Sequence, residues 1–500
     1  MHLVAPLPVM AANVLYGLCM VFLASFGVYQ GVFAYIRFFR RKPSLPTPPP
    51  PGDWPRVTVQ LPIYNEGYMI ERLLASVTAL DYPRDRLEIQ FLDDSTDETS
   101  QLAKRLIKHY REEGIDVRYL HRTERQGYKA GNLAFGLSQA TGEFVAVLDA
   151  DFTVDPDWLK RLVPYFADPK VGFVQSRWVH RNIDENLITR GLNVTMAGDH
   201  IVVQPARYQG GFLTTFLGSG GIWRKQCLEQ SGGWQWDTLL EDLDMSIRAQ
   251  LAGWRGVYLT DPVVYALLPY KVNTFKTQQY RWAKGGSQVF VKLAPKILTA
   301  PLPLGLRLEA FWHSMMYLPV VAVVLTLILT LPIGYWNHSV LTMFPWAVVA
   351  SIGPTLVYSF GAIQSMDGWG NRITGLLVTS VLSLGISLNN AVGAISGLFT
   401  HGGVFETTEK GTEVSPQRAK KASRLKILLL GLGDIFLSAY LGVTLVMLWS
   451  TIWRLVAPWL LTAAAGFFVT GLWSFSELLG INPLTKSGPV RLTGNSITES

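Results

Sequence analysis

The stretch 144–151, FVAVLDAD, is five apolar residues followed by Asp149-Ala150-Asp151. A short apolar run of this kind, closed abruptly by carboxylates, reads as a strand buried on both faces. Working outward, Val57–Tyr64 (VTVQLPIY) reads as another strand and Glu66–Leu80 as a helix. Glu88–Leu92 is a strand ending in Asp93-Asp94-Ser95, followed by a helix from Asp97 to about Glu113. Val117–Leu120 is a further strand, and Lys129–Gln139 a helix leading into 144–151. Strands alternating with helices predict an α/β domain with a mostly parallel, doubly wound sheet. Ligands of such sheets bind beyond the carboxyl ends of the strands. Two of these strands stop in paired acids at that edge, where crowded carboxylates repel one another unless a cation or polar ligand intervenes.

Two carboxylates spaced as Asp149 and Asp151 can share a hard divalent ion that keeps open positions for diphosphate oxygens. A lone D-x-D is more often a solvated turn or a helix cap; here the buried strand before it and the Asp93-Asp94 pair on the same sheet favour the ion. Lys129, in GYKAGN at 127–132, opens a helix between the two acidic sites, where a cation suits a phosphate. Leu240-Glu241-Asp242-Leu243-Asp244 begins another helix, and acidic capping is the ordinary explanation. The Gly-rich turn 216–221, with Gly218 and Ser219, is either a plain loop or a backbone that lies against a sugar. Gln278-Gln279-Tyr280-Arg281-Trp282 offers a guanidinium for phosphate and an indole for a pyranose face; a membrane-surface helix would use the same residues.

The chain has 500 residues, 49% hydrophobic and only 16% charged, with mean hydropathy +0.22 and pI near 9.2. Disorder is excluded, and a purely soluble protein does not fit. The net charge of +7 is concentrated where Arg37, Arg40, Arg41, Lys42 and Lys420, Lys421, Arg424, Lys426 flank apolar stretches. That pattern suits membrane topology and anionic lipid, not a nucleic-acid groove. Cys19 and Cys227 are the only cysteines, so no disulfide framework exists. An apolar stretch from about Leu7 to Ile36 is too long for a signal peptide. Spans are expected at 311–333, 340–363, 426–449 and 453–475, each long enough for a core of about 30 Å. The stretch 372–399 is read as an in-plane or re-entrant helix, because a crossing there would place the basic block 400–426 outside. The organisation expected is an N-terminal span with its basic flank (1–42), a Pro-rich linker (43–55), a cytoplasmic catalytic domain with interface helices (56–300), a C-terminal membrane region (301–480) and a flexible tail (481–500).

Together, QLPIYNE at 60–66, LDYPRDRLEIQFLDDSTDET at 80–99, GYKAGNL at 127–133, VAVLDADFTVDPDWL at 145–159, the segment 231–259, QQYRW at 278–282 and FETTEKG at 405–411 resemble the processive, membrane-embedded family-2 glycosyltransferases. The likeness covers about 56–426 and is strongest toward the cellulose synthase-like A branch, the mannan and glucomannan synthases. It implies an α/β GT-A domain with a Rossmann-like sheet inserted between transmembrane helices of a plasma (inner) membrane protein. It also implies transfer of a hexose, with inversion, from a nucleotide sugar (GDP-mannose, GDP-glucose or UDP-glucose) to a growing β-linked glycan. Asn65, Glu66, Asp93, Asp94 and Lys129 would then hold the nucleotide, and Asp149, Gln278 and Arg281 the diphosphate. Asp149 and Asp151 would bind Mg²⁺ or Mn²⁺, and Asp242 would be the general base. Glu241, Trp282, Gly218 and Ser219 would face the acceptor, and Phe405, Thr407, Thr408 and Lys410 would form a gating loop. Leu240 stands where the family usually has Thr or Ser, and AKGG follows QQYRW in place of S-C-G-P. A single-sugar transferase to a lipid acceptor is the alternative. A transporter is disfavoured, since Asp434 is the only acid well inside a span and no charge pair is evident.

Overall fold

Strands β1 (Val57–Ile63) and β2 (Leu87–Asp93) are buried along their whole length, as central strands covered on both faces must be. Their apolar residues alternate with a polar ladder that the parallel register brings into line. Thr58 faces Glu88 and Gln60 faces Gln90, with Thr58 donating to Glu88 at 2.7 Å and Gln60 to Gln90 at 3.0 Å. Burial alone would raise the Glu88 pKa, but hydrogen bonds from Thr58, Thr141 and Arg118 outweigh it and hold the carboxyl at about 2. The ladder thus satisfies polar groups that would otherwise be costly inside the sheet.

This computed structural model describes residues 7–40, 48–336, 344–405, 421–450 and 452–481. β3 (Val117–His121) and β4 (Phe144–Val147) complete the four strands expected from the sequence. Four more follow: β5 (Thr153–Val154), β6 (Val171–His180), β7 (Gly221–Arg224) and β8 (Arg255–Ala266). The sheet order is β3-β2-β1-β4-β7-β6-β8-β5. Pairing is parallel from β3 to β4 and between β6 and β8, and antiparallel on both sides of β7 and between β5 and β8. Helices Gly67–Thr78 and Thr99–Glu112 cover one face through Ile70, Leu73, Leu74, Ala103 and Ile107. Helices Tyr128–Leu137 and Glu241–Leu251 cover the other through Leu133, Leu137, Met245 and Ala249. The carboxyl ends of β1, β2 and β4 therefore open together at one edge.

Among the described residues, four helices are long and apolar enough to cross a membrane: Val9–Phe39, Phe344–Ser365, Arg424–Leu448 and Arg454–Leu478. Two bent pairs, Leu304–Ser314 with Pro319–Tyr335 (59°) and Trp369–Gly385 with Ser387–Phe399 (48°), raise the number to as many as six if each pair is one span. The single helix expected over 372–399 is therefore two. The break falls where Thr470 donates to the Gly385 carbonyl at 3.0 Å and Gly385 lies directly against the Gly466 backbone; a side chain entering the helical ladder is a recognised cause of a kink. Similarly, Gly27 and Gly353 let the Leu7–Phe39 and Phe344–Ser365 helices touch backbone to backbone, as small residues do in lipid.

The helix Val272–Thr299 joins the two halves. Its first turn is completed by Glu477, which accepts from the Val272 and Asn273 amides at 2.7 and 2.9 Å. Lys276 donates to Asp434 at 2.6 Å and to Ser474 at 3.2 Å. Asp434 thus has a cationic partner that the sequence did not reveal, because the two lie far apart in the chain. The end of the Pro-rich segment is docked, with Trp54 edge-on to Tyr82 and the Tyr82 hydroxyl donating to the Pro55 carbonyl at 2.6 Å. Both cysteines are buried. Asn193, which begins a glycosylation-like sequon, is buried with its amide on Ser365 at 3.1 Å.

Candidate functional site

The open edge of the sheet carries a cleft with two lobes. Lys129, Asp149, Gln278, Arg281 and Phe405 line both. Tyr64, Glu66, Asp94, Arg125, Asn132 and Asp151 line the first lobe. Trp178, His180, Met196, Gly218, Leu240, Glu241, Asp242 and Trp282 line the second. Each arrives by a local route. β1 ends at Ile63 and turns through Asn65 at φ 55°. The Asn65 side chain accepts from the Thr96 amide at 2.8 Å, and its own amide donates to Ser95 at 2.9 Å. This ties the end of β1 to that of β2 and presents Tyr64 and Glu66. Asp149 leaves β4 with its amide donating to the Ser219 hydroxyl at 2.9 Å.

Lys129 sits on the wall between the lobes. Its ammonium lies 2.6 Å from Asp149 and 3.8 Å from Glu241, and it donates to the Gly218 carbonyl at 3.0 Å. Burial would lower its pKa, but Asp149, Glu241 and Asp242 reverse that and raise it, so the amine stays charged. Asp242 is pushed up to about 7, first by burial and then by the neighbouring Glu241, with Lys129 pulling the other way. A carboxylate with its pKa near neutrality, on a cleft wall, is suited to accept a proton. Gly218, at φ +84°, makes room for it: a Cβ there would lie 2.8 Å from the Asp242 Oδ2. Arg281 holds its guanidinium 3.9 Å from the centre of the Phe405 ring, which also stacks on Tyr128 at 6.5 Å.

Three residues expected at the site stand behind its surface. Asp93 does not line the cleft; it is fully buried and accepts from the Ser95 amide at 2.9 Å and the Ser100 and Tyr119 hydroxyls at 2.5 and 2.6 Å. Burial would raise its pKa, but those hydrogen bonds lower it, so the carboxylate orders the end of β2. Asn65 makes the turn described above, and Ser219 is fully buried beneath Asp149. Asp94 does reach the cleft, with both oxygens held by Arg122 at 2.8 and 2.6 Å. Thr407, Thr408 and Lys410 lie outside the described residues. Among the described residues, no three His, Cys, Asp or Glu side chains form a ready metal cage. Asp149 and Asp151 both line the first lobe, Asp149 paired with Lys129 at 2.6 Å and Asp151 accepting from the Leu267 amide at 3.1 Å; one or two carboxylates with phosphate oxygens are a common shell for Mg²⁺ or Mn²⁺.

With this geometry, residues 58–223 match Glycosyl transferase family 2. Residues 144–359 match Glycosyl transferase family group 2. These stretches are thus similar to family 2 glycosyl transferases. The chain is 37% identical over 272 residues to a probable glucomannan 4-beta-mannosyltransferase 6 of Oryza sativa subsp. japonica, an alignment covering 53% of this chain and 46% of the relative. It thus spans about half the length of that curated relative. Among solved structures it is similar to the mannosyltransferase PcManGT from Pyrobaculum calidifontis, in complex with GDP-Man and Mn²⁺. That likeness has a TM-score of 0.53 and 24% identity, and covers 77% of this chain and 99% of the other. It shows a shared GT-A-like fold.

The sequence left several residues of this cleft unread. Arg125 stacks over Tyr64 at 3.2 Å and lies 5.0 Å from the Tyr128 ring, forming a planar cation–aromatic wall in the first lobe. Arg122 and Arg125 stand just before GYKAGN, and that local basic density was an available signal. Trp178 and His180 come from β6, an unpredicted strand, and nothing local marks them as cleft residues.

Proposed function

We propose that this membrane protein transfers a hexose from a nucleotide sugar to a growing β-linked glycan, inverting the anomeric centre. The observation that carries this reading is Asp242, which lines the second lobe beside Glu241 and Lys129 with its pKa pushed up to about 7. The nucleotide occupies the first lobe, between the Tyr64–Arg125 wall and Asp94, with its diphosphate against Lys129 and Arg281. The acceptor sugar lies in the second lobe on Trp282, flanked by Glu241 and Gly218. An acceptor hydroxyl attacks the anomeric carbon opposite the diphosphate, and Asp242 takes its proton. The bond from carbon to diphosphate oxygen breaks, and the leaving charge is met by Lys129 and Arg281, the electrostatic contribution expected to dominate. Asp149 and Asp151 would hold Mg²⁺ or Mn²⁺, which supplies further charge neutralisation at the diphosphate. Phe405 covers the donor from the cytoplasmic side, where the catalytic domain resides.

GDP-mannose, GDP-glucose and UDP-glucose are the donors to be tried. Asp242→Asn should abolish transfer, lowering kcat on the order of 10²–10⁴-fold, while leaving nucleotide-sugar binding near its original strength. Near-normal product formation by this variant would remove Asp242 from the chemistry. Exhaustive EDTA treatment should stop turnover, and Mg²⁺ or Mn²⁺ should restore it. Product size separates polymer from single-sugar glycolipid.

A further inference from the structure

Gln288 lies two turns beyond Trp282 on the helix Val272–Thr299, outside both lobes, and is 3% exposed. Its side chain holds two segments at once. The Oε1 accepts from the Leu239 amide at 2.9 Å, two residues before Glu241 and three before Asp242. The Nε2 donates to the Thr400 carbonyl at 3.1 Å and to the Gly402 carbonyl at 2.7 Å. The two segments also join each other, the Gly402 amide donating to the Asp237 carbonyl at 2.6 Å. Next along the chain, Gly402 and Gly403 have φ +57° and +145°, conformations open to glycine. They turn the backbone so that Phe405 reaches Arg281 and Tyr128 over the cleft.

The helix is shaped for this grip. A Cβ on Gly285 would lie 2.7–3.0 Å from Leu239 and Leu240, so the AKGG segment after QQYRW lets the loop leading into the helix that bears Asp242 pack directly on Val272–Thr299. One turn past Gln288, Lys292 donates to Gln235 and Asp237 at 2.7 Å and pairs with Asp244 at 2.8 Å. A buried amide with both ends satisfied by different segments is high-stakes, since losing either bond strands polar groups away from water.

We propose that Gln288 is a positioning residue that couples the two sides of the reaction: it sets the Thr400–Phe405 segment over the donor and the Leu239–Asp242 segment beside the acceptor in a single register. This rests on the roles given above to Asp242 and Phe405. Disturbing the Thr400 side of Gln288 must then be felt at Asp242.

Two variants separate the coupling from simple stability. Q288E keeps an acceptor for the Leu239 amide but can no longer donate to Thr400 and Gly402. Q288M has similar volume and loses all three bonds without adding charge. Hydrogen exchange on the full chain in detergent is read at 237–243 and at 400–405, with no substrate required. Both variants should speed exchange about tenfold in both segments, roughly one net hydrogen bond. A response of Q288E confined to 400–405, with Leu239–Leu243 unchanged, overturns the coupling. So does an unchanged pattern in Q288M. Kinetics per folded enzyme give a second reading. KM for the nucleotide sugar should rise about tenfold in Q288M. Its combination with Phe405→Ala should be less than additive, because both act through one segment. Strict additivity, or a lower yield of folded protein with kcat and KM unchanged, also overturns it. If the unaltered protein transfers no sugar, the functional reading fails while the exchange measurement still decides the coupling.

Discussion

Asp242, Glu241 and Lys129 form one electrostatic unit, and the pH dependence of transfer follows from it. A general base works in its unprotonated form, so kcat should fall as pH drops through about 7, the value to which burial and Glu241 raise Asp242. Lys129 is the group that opposes that rise. Lys129→Gln should therefore move the acid limb of the pH–rate profile to higher pH. It should also lower kcat on the order of 10²–10³-fold, because in the proposed reaction the same ammonium meets the leaving diphosphate. A limb that stays in place shows that Lys129 does not set the base. Asp149, Asp151, Asp242 and Arg281 were legible as candidates because charged residues at strand and helix ends announce themselves. Asp93 carries the same signature, yet the fold sets it behind the cleft surface. Its identity is that of a binding carboxylate, and only the folded partners Ser100 and Tyr119 show that its oxygens are already engaged.

Among the elements, β1 and β2 show how a strand can carry polar residues through a core. Glu88 has a depressed pKa, about 2 against an ordinary 4.5, so its contribution is present above about 4.5 and lost as pH falls toward 2. The difference corresponds to about 3 kcal/mol. Acid should therefore destabilise the catalytic half across that window, and Glu88→Gln should remove that part of the pH dependence. Thermal unfolding between pH 2 and 5, followed on both proteins, checks this; identical slopes would mean that the ladder contributes nothing through ionisation. The first four strands were readable because apolar runs alternate there with amphipathic helices. β6 and β8 were not, since Gln175, Ser176 and Arg177 interrupt one and Pro262 the other, and their pairing depends on partners distant in sequence. The bend at Gly385 was equally hidden, because it is made by Thr470 on another helix.

For the whole molecule, the decisive property is the side of the membrane that the catalytic domain faces. His401, which is exposed, precedes Gly402, whose amide donates to the Asp237 carbonyl, so it lies on the same side as the catalytic domain, the cytoplasmic side in the reading proposed above. A cysteine replacing His401, in a variant free of Cys19 and Cys227, should then resist an impermeant maleimide in intact cells and react once the membrane is opened. Labelling in intact cells would put the catalytic domain outside, away from a cytoplasmic donor.

The way the helix Val272–Thr299 is secured has a consequence for how the protein is made. Its first two amides wait for Glu477, 205 and 204 positions later, and the Lys276 ammonium waits for Asp434, 158 positions later. While the ribosome is still decoding the second half, the nascent catalytic half holds a helix with uncapped amides and an unmatched charge. The segment carrying Gln278, Arg281 and Trp282 can settle only after the helices bearing Asp434 and Glu477 have entered the bilayer. Chains that end before Asp434 should therefore show no transfer, since in them Lys276 lacks the carboxylate it donates to in the finished protein.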